Sequence, residues 1–316
     1  MKKLLFIACT NVARYLISDL YWNENMKGIE VVGIVNLNRE QSLKKSNYDD
    51  YFDLIVEHNI SHFYCNNVND SECLDWIRSK KPDLIIQSGW SQKFSDDLLE
   101  IPIQGCIGQH PSPLPKGRGA ACVNWAIING ETKWGDTFFR MVNEYDKGSI
   151  VEQELFDIMF YDTVKTIYDK VCLSSLIMFR RSIKKWLNGE FNIHKQDESK
   201  ASYYKKRKPS DGFFSFTDKT AIELYNFIRA QTKPYPGAFF VFKKKKIKVW
   251  EATISDIKQQ KEAGTFLNKT SNGGLLISCF DNTAIEILRI EEEGLPELWA
   301  ADWYDFFRDN HSLNEF

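Results

Sequence analysis

The chain opens on a short continuous apolar run, LLFIA, that gives way at once to the intermittent pattern NVARYLISDLYW. The same change recurs through the first 200 residues. Short apolar runs bounded by polar residues fit strands buried on both faces, and apolar positions three and four apart fit one face of a helix. The pattern therefore predicts strands over 3–9, 29–36, 83–90 and 105–110, with helices over 11–23 and 70–81. GDTFFRMV (135–142) and SIVEQELF (149–156) read as a hairpin joined across 143–148, and 163–189 as a long amphipathic helix closed by Gly189. Strands alternating with helices predict an α/β fold around a Rossmann-like, mainly parallel sheet.

The polar stretch KQDESKASYYKKRKPSDG (195–212) marks a boundary. Beyond it, KTAIELYNFIRAQ reads as one helix and PYPGAFFVFKKKKIKVWEATI as two strands around a lysine-rich turn. Two more strands flank Asp281-Asn282 within 273–290. Successive short strands predict a small antiparallel barrel, OB-like in size. The expected organisation is a catalytic domain over 1–200, a linker over 201–212 and a C-terminal domain over 213–316. The latter ends in the aromatic-rich tail LPELWAADWYDFFRDN, which suits either core packing or a dimer contact.

Composition narrows the function classes. With 43% hydrophobic and 14% aromatic residues in 316, two ordinary cores are affordable. Forty-one basic residues against 43 acidic ones argue against a dedicated nucleic-acid binder. Cys9, Cys65, Cys73, Cys106, Cys122, Cys172 and Cys279 are scattered and odd in number, which suits reduced thiols in a cytoplasm. MKKLLFIACTNVARYL imitates a signal peptide, but polar Thr10, Asn11 and Arg14 cut the apolar run short, so a first buried strand is expected. No stretch is apolar for long enough to span a membrane.

Nucleotide-cofactor chemistry finds no support after the first strand. ACTNVARYL carries neither GxGxxG nor GxxxxGKS, the glycines that let backbone close on a pyrophosphate. An NAD-dependent oxidoreductase loses most of its case there. His58 and His62 stand four apart in HNISH, without the zincin glutamate, and are expected in a surface loop and not on a metal. His194 and His311 carry no signal.

CIGQHPSPLPKGRG (106–119) is different. Pro111, Pro113 and Pro115 exclude a helix and stiffen the segment. They place His110 at the last position of a strand, where ligands of open α/β sheets bind. Asp146 follows in the turn NEYDKGSI, with Gly148 allowing a tight bend. An aspartate near a histidine favours the imidazolium, a donor suited to a developing oxyanion, although a turn aspartate also caps its own backbone.

GQHPSPLPKGRGAACVNWAIINGE followed by EYDKGSIVEQE resembles the folate-dependent formyltransferases. KRKPSDGFFSF, YNFIRAQTKPYPGAFF and IKVWEA are similar to the linker and C-terminal domain of those enzymes, so the likeness runs over roughly 1–295. It is nearest to the sugar N-formyltransferases, above all the bacterial domain acting on a UDP-linked 4-amino sugar. The resemblance implies transfer of a formyl group from N10-formyltetrahydrofolate to a primary amine, without a metal. It assigns the oxyanion donor to His110 and the partner that holds its charge to Asp146. The family pattern is Asn-x-His, and here Gly108 stands in place of the asparagine. Gln109 points to the other face of the strand, so a water in the vacated space or Asn124 is the expected substitute donor.

The resemblance also places the folate pterin near Trp90, Phe94 and Met141, and the acceptor near Lys116, Arg118, Arg229 and Tyr235. Gly117 and Gly119 around Arg118 suggest close approach by a ligand, and arginine suits a phosphate. The expected acceptor is a nucleotide-linked amino sugar. A methionyl-tRNA formyltransferase is kept alive by KKRK (205–208) and KKKK (243–246), and a non-catalytic folate binder by Gly108. A homodimer is the expected assembly.

Overall fold

The computed structural model describes residues 1–42, 45–258 and 260–310. His311 lies outside them. By contacts the chain divides into two compact units. The first comprises Met1–Cys122, Lys133–Asp157 and Tyr168–Lys205, and the second comprises Val123–Thr132, Ile158–Ile167 and Lys206–Phe316.

The first unit is built on a seven-stranded sheet. Its elements include β1 (Lys2–Ala8), β2 (Ile29–Leu37), β3 (His62–Cys65), β4 (Leu84–Ser88) and β5 (Cys106–His110). The two-residue β6 (Arg118–Gly119) follows, then β7 (Lys133–Arg140), β8 (Ile150–Asp157) and the short β9 (Tyr203–Tyr204). The sheet order is β3-β2-β1-β4-β5-β7-β8. Pairing is parallel from β3 through β5 and antiparallel for β5–β7 and β7–β8.

Alternation along β1 shows why its sequence is apolar without interruption. Leu4, Phe6 and Ala8 enter one core with Ile86, Ile107 and Phe138, while Leu5, Ile7 and Cys9 enter another with Ile85 and Phe94. Side chains of a strand point alternately to opposite faces, and both faces here are covered. The four-residue edge strand β3 escapes the sequence pattern because only Cys65 of it is buried. His62 opens that strand with its ring against Tyr64, and His58 stacks on Tyr21 at 3.8 Å.

The second unit holds an antiparallel sheet of β10 (Ala238–Phe242), β11 (Lys245–Ser255), β12 (Phe266–Lys269), β13 (Leu275–Ser278), β14 (Ala284–Glu292) and β15 (Leu298–Trp299). Its order is β10-β11-β14-β13-β12, with β15 on β14. Helix Ala221–Arg229 starts at Thr220, whose hydroxyl accepts from the Glu223 N–H while the Glu223 carboxylate accepts from the Thr220 N–H, a reciprocal cap. The aromatic tail is helix Ala300–Asn310. It buries Ala300, Trp303 and Phe307 in this unit's core, and the Trp303 indole N–H donates to Glu292 at 2.8 Å. Core packing, one of the two uses the tail suited, is observed.

Candidate active site

β5 ends at His110, and the loop after it is short of backbone donors because of its prolines. Side chains hold it instead. The Trp134 indole donates to the Pro111 carbonyl at 2.8 Å, the Thr137 hydroxyl to that of Ser112 at 2.6 Å and the Gln153 amide to that of Leu114 at 2.9 Å. β6 then pairs in parallel with β9, Arg118 opposite Tyr203. The stretch read from the sequence as a boundary thus folds back on the histidine loop. Gly117 N–H donates to Ser202 Oγ at 2.9 Å, and Arg118 N–H to the Ser202 carbonyl at 2.9 Å.

His110 is 7% exposed. Its Nε2 lies 2.8 Å from the Gly117 carbonyl, an oxygen that only accepts, so this nitrogen carries a hydrogen. Its Nδ1 faces Asp146 Oδ1 at 3.6 Å, ion-pair distance and too long for a hydrogen bond. Both nitrogens therefore meet acceptors, the arrangement an imidazolium wants. Burial pulls the ring's pKa down, but the Asp146 charge, the Cys122 thiol and the Gly117 carbonyl together outweigh it. The net result is a rise from 6.5 to about 10.

Behind the histidine, Gln109 points to the opposite face as the strand alternation requires. It accepts from Ser88 Oγ at 3.2 Å and donates to Asp136 at 2.6 Å, and the Ser175 hydroxyl donates to the same carboxyl. Burial raises the Asp136 carboxyl to about 7, against the lowering effect of those hydrogen bonds and of His110. This carboxyl was not singled out from the sequence; TFFRMV around it reads only as strand.

Packing engages several of the side chains expected to contact a ligand. Arg118 is fully buried, and all five of its N–H groups are used inside the unit. Nε and Nη2 donate to Gln196 Oε1, Nη1 and Nη2 to the two Glu198 oxygens and Nη1 also to the Tyr203 hydroxyl. No donor is left for a phosphate. Gly117 and Gly119 do mark close approaches, but by the chain itself. A Cβ on Gly117 would stand 2.9 Å from the Trp134 ring, and one on Gly119 2.3 Å from the Tyr204 carbonyl oxygen. Both have positive φ, +78° and +95°, which glycine adopts without strain.

Trp90 and Phe94 are core residues, 6% and 1% exposed in the cluster of Ile85, Leu98 and Cys106, with Met141 packed against it. Lys116 is half-buried over the Trp134 ring, 5.7 Å from its centroid. In the second unit, Asn124 donates to the Ala230 carbonyl at 2.7 Å. Arg229 is buried there too, bonded to Asn226 at 2.9 Å and to the carbonyls of Met159 and Asp162. Tyr235 is half-buried beside Thr232, whose carbonyl accepts its N–H at 3.1 Å.

The model for the family described as Formyl transferase matches residues 3–180. The one for its C-terminal domain matches 206–308, beyond the limit near 295 read from the sequence. The chain belongs to the formyl transferase family. It is 34% identical over 261 residues to the bifunctional polymyxin resistance protein ArnA of Wigglesworthia glossinidia brevipalpis, covering 83% of this chain and 39% of that protein. It is 30% identical over 264 residues to the methionyl-tRNA formyltransferase of Lactiplantibacillus plantarum, covering 83% of each. Among solved structures, the N-formyltransferase from Helicobacter canadensis in complex with folinic acid and dTDP-3-aminofucose matches with a TM-score of 0.68. The identity is 19%, over 91% of this chain and 99% of that one, and speaks for the fold alone.

At Gly108, where the resemblance expects an asparagine, packing leaves no room for a side chain. Gly108 faces Phe139 across β5 and β7. A Cβ there would stand 2.8 Å from two atoms of the Phe139 ring and 3.1 Å from Met141 Cγ. The space expected to admit a water is filled by these two side chains. Asn124 gives one of its two amide hydrogens to the Ala230 carbonyl.

Proposed function

We propose that the chain transfers a formyl group from N10-formyltetrahydrofolate, as donor substrate, to the amine of a nucleotide-linked amino sugar in the cytoplasm. The observation that carries the reading is the His110–Asp146 pair at the carboxyl end of a central strand. A charged, buried imidazole fits an oxygen that gains negative charge, which is what a formyl oxygen does under attack by an amine.

The chemistry forms a bond from the acceptor nitrogen to the formyl carbon and breaks the bond from that carbon to N10, with one proton leaving the amine and one reaching N10. His110 donates its Nε2–H to the developing oxyanion, exchanging the Gly117 carbonyl for it. Asp146 keeps the ring charged through Nδ1 and offers the nearest carboxylate for the amine proton. With Gly108 bare and Phe139 in place, the oxyanion receives one side-chain donor at this strand end, not two. The second unit corresponds to the OB-like companion domain of these enzymes, and a homodimer is the proposed assembly.

The sugar acceptor is supported by neighbours such as the Helicobacter canadensis enzyme crystallised with dTDP-3-aminofucose and a sugar 3N-formyl transferase crystallised with dTDP. The tRNA reading rests on the Lactiplantibacillus relative and two basic runs. Four of those cations make contacts within the second unit. Arg207 lies over the Trp125 ring and donates to Gln231, Lys245 pairs with Glu292, and Lys243 and Lys246 sit over Phe307 and Phe239.

The test is release of tetrahydrofolate from N10-formyltetrahydrofolate across a panel of nucleotide-linked amino sugars, with charged initiator methionyl-tRNA as rival acceptor. Turnover with one sugar, lost in His110→Ala, is the expected result. Turnover with tRNA alone overturns the acceptor, and folate binding without turnover on any acceptor overturns catalysis.

A further inference from the structure

Asp146 occupies a conformation that needs support. Its φ is +56°, in the left-handed region that glycine enters most freely and other residues sparsely. Such residues persist where their surroundings over-determine them. Here the support comes from Gln196, in a polar stretch that gives no sequence signal. The Gln196 amide nitrogen donates one hydrogen to the Asp146 carbonyl at 2.7 Å and the other to the Gly148 carbonyl at 2.7 Å. One NH2 group thus bridges the turn on both sides of Lys147.

The amide's orientation is dictated by its other end. Gln196 Oε1 accepts from Arg118 Nε at 3.1 Å and Nη2 at 2.7 Å, and a flipped amide would set NH2 against the guanidinium. Arg118 is itself locked by Glu198 and Tyr203. The next residue, Gly119, gives its N–H to Asp146 Oδ2 at 2.8 Å, which closes a ring of contacts around the turn. Asp146 Oδ1 is left for His110. Gln196 is placed by the reciprocal backbone bonds of His194 with Ile150 at the start of β8, 2.8 and 2.9 Å.

We propose that Gln196, oriented by Arg118, is a positioning residue for the His110–Asp146 pair: its amide clamps the turn and so fixes where the carboxylate meets the imidazole. The proposal rests on reading that pair as the reacting one. It does not depend on which acceptor is used.

The test compares Gln196→Glu and Gln196→Met in the full chain. Gln196→Glu keeps the acceptor oxygens that Arg118 needs, loses both donors to the turn and sets oxygen against the two carbonyls. Gln196→Met is near in shape, adds no charge and loses both roles. The groups facing His110 are Asp146, Cys122, Asp136 and the Gly117 carbonyl, none of which is changed. The first readout is the titration of the His110 ring by NMR, with thermal unfolding alongside. In both variants the His110 pKa is expected to fall by about one unit or more from its raised value. The added charge of Glu pushes the other way, so a fall in that variant is diagnostic. The second readout is steady-state kinetics, with kcat down about tenfold or more and KM for the formyl donor little changed.

His110 titrating as in the parent protein in both variants would overturn the proposal and leave Gln196 a merely structural partner of Arg118, even if melting temperatures fall. Absence of turnover by the parent protein on every acceptor would overturn the formyl-transfer reading instead, and the NMR titration would still decide the positioning role.

Discussion

The Phe139 ring stands where a side chain at position 108 would have to go: the two residues face each other across β5 and β7, and a Cβ on Gly108 would lie 2.8 Å from the ring. Restoring the asparagine of the family pattern therefore overpacks the strand pair. Gly108→Asn is expected to lose about 1–3 kcal/mol of stability without any gain in rate. In a Phe139→Ala background, which itself costs about 3–5 kcal/mol, adding Gly108→Asn is expected to cost less than it does in the parent protein, because room has returned. Denaturant unfolding and initial rates on the two variants check both statements.

His110 is the donor that the proposed chemistry depends on. His110→Ala is expected to lower kcat by about 100- to 1,000-fold, the usual effect of removing one preorganised oxyanion donor. Asp146→Asn is expected to lower kcat too, and to move the His110 titration down from about 10 toward its ordinary 6.5, because the largest raising influence on the ring is the Asp146 charge. Tetrahydrofolate release and NMR titration measure the two effects.

Stability should vary with pH in two separable windows. The His110 pKa is higher folded than unfolded, so its contribution is full below 6.5 and is lost as pH rises through about 10. Asp136 is an acid with its pKa raised from 3.8 to about 7, so the folded state holds a proton the unfolded chain has released. Stability falls as pH rises across that lower window. Relative to the parent protein, Asp136→Asn should gain in melting temperature from about pH 4 to 7. The deficit of His110→Ala should shrink from pH 6.5 toward 10. Melting curves from pH 4 to 10 decide it.

Arg118 tests whether the loop cations serve a ligand or the fold. With five N–H groups committed, Arg118→Lys should destabilise nearly as much as Arg118→Ala, by about 1–3 kcal/mol, since lysine cannot reproduce the planar fork. A phosphate-binding role would instead leave the melting temperature of Arg118→Lys intact and raise KM for the acceptor.

In the second unit, Trp303→Ala should cost about 3–5 kcal/mol, because a large buried aromatic leaves a cavity and Glu292 loses a partner. The check is equilibrium unfolding followed by the fluorescence of the other tryptophans.

Much of this was legible along the chain. The uninterrupted apolar character of β1 and β4 follows from burial on both faces of a sheet, and the termini of Asn11–Trp22, Ser71–Lys80 and Val164–Leu187 fall within two residues of the periodic segments that predicted them. His110 and Asp146 were legible because proline and glycine constrain their surroundings. The strands β3, β6, β9, β12 and β15 were not, since two to four residues with exposed positions carry no period.

By itself, then, the sequence determined the α/β character of the first unit, most of its longer elements, the strand end that holds His110 and the family. Those features depend on local periodicity and on residues whose backbone preferences act at their own positions. Only the tertiary structure decided the fate of the long-range polar groups. Arg118 is a buried anchor because Gln196, Glu198 and Tyr203, some eighty positions away, arrive with enough acceptors to saturate it. Trp90 and Phe94 became core because their neighbours close over them, and the vacancy at Gly108 closed because Phe139 lies opposite. A side chain's donors and faces are committed by whatever folding brings within reach, and that reach is not written in the order of the residues.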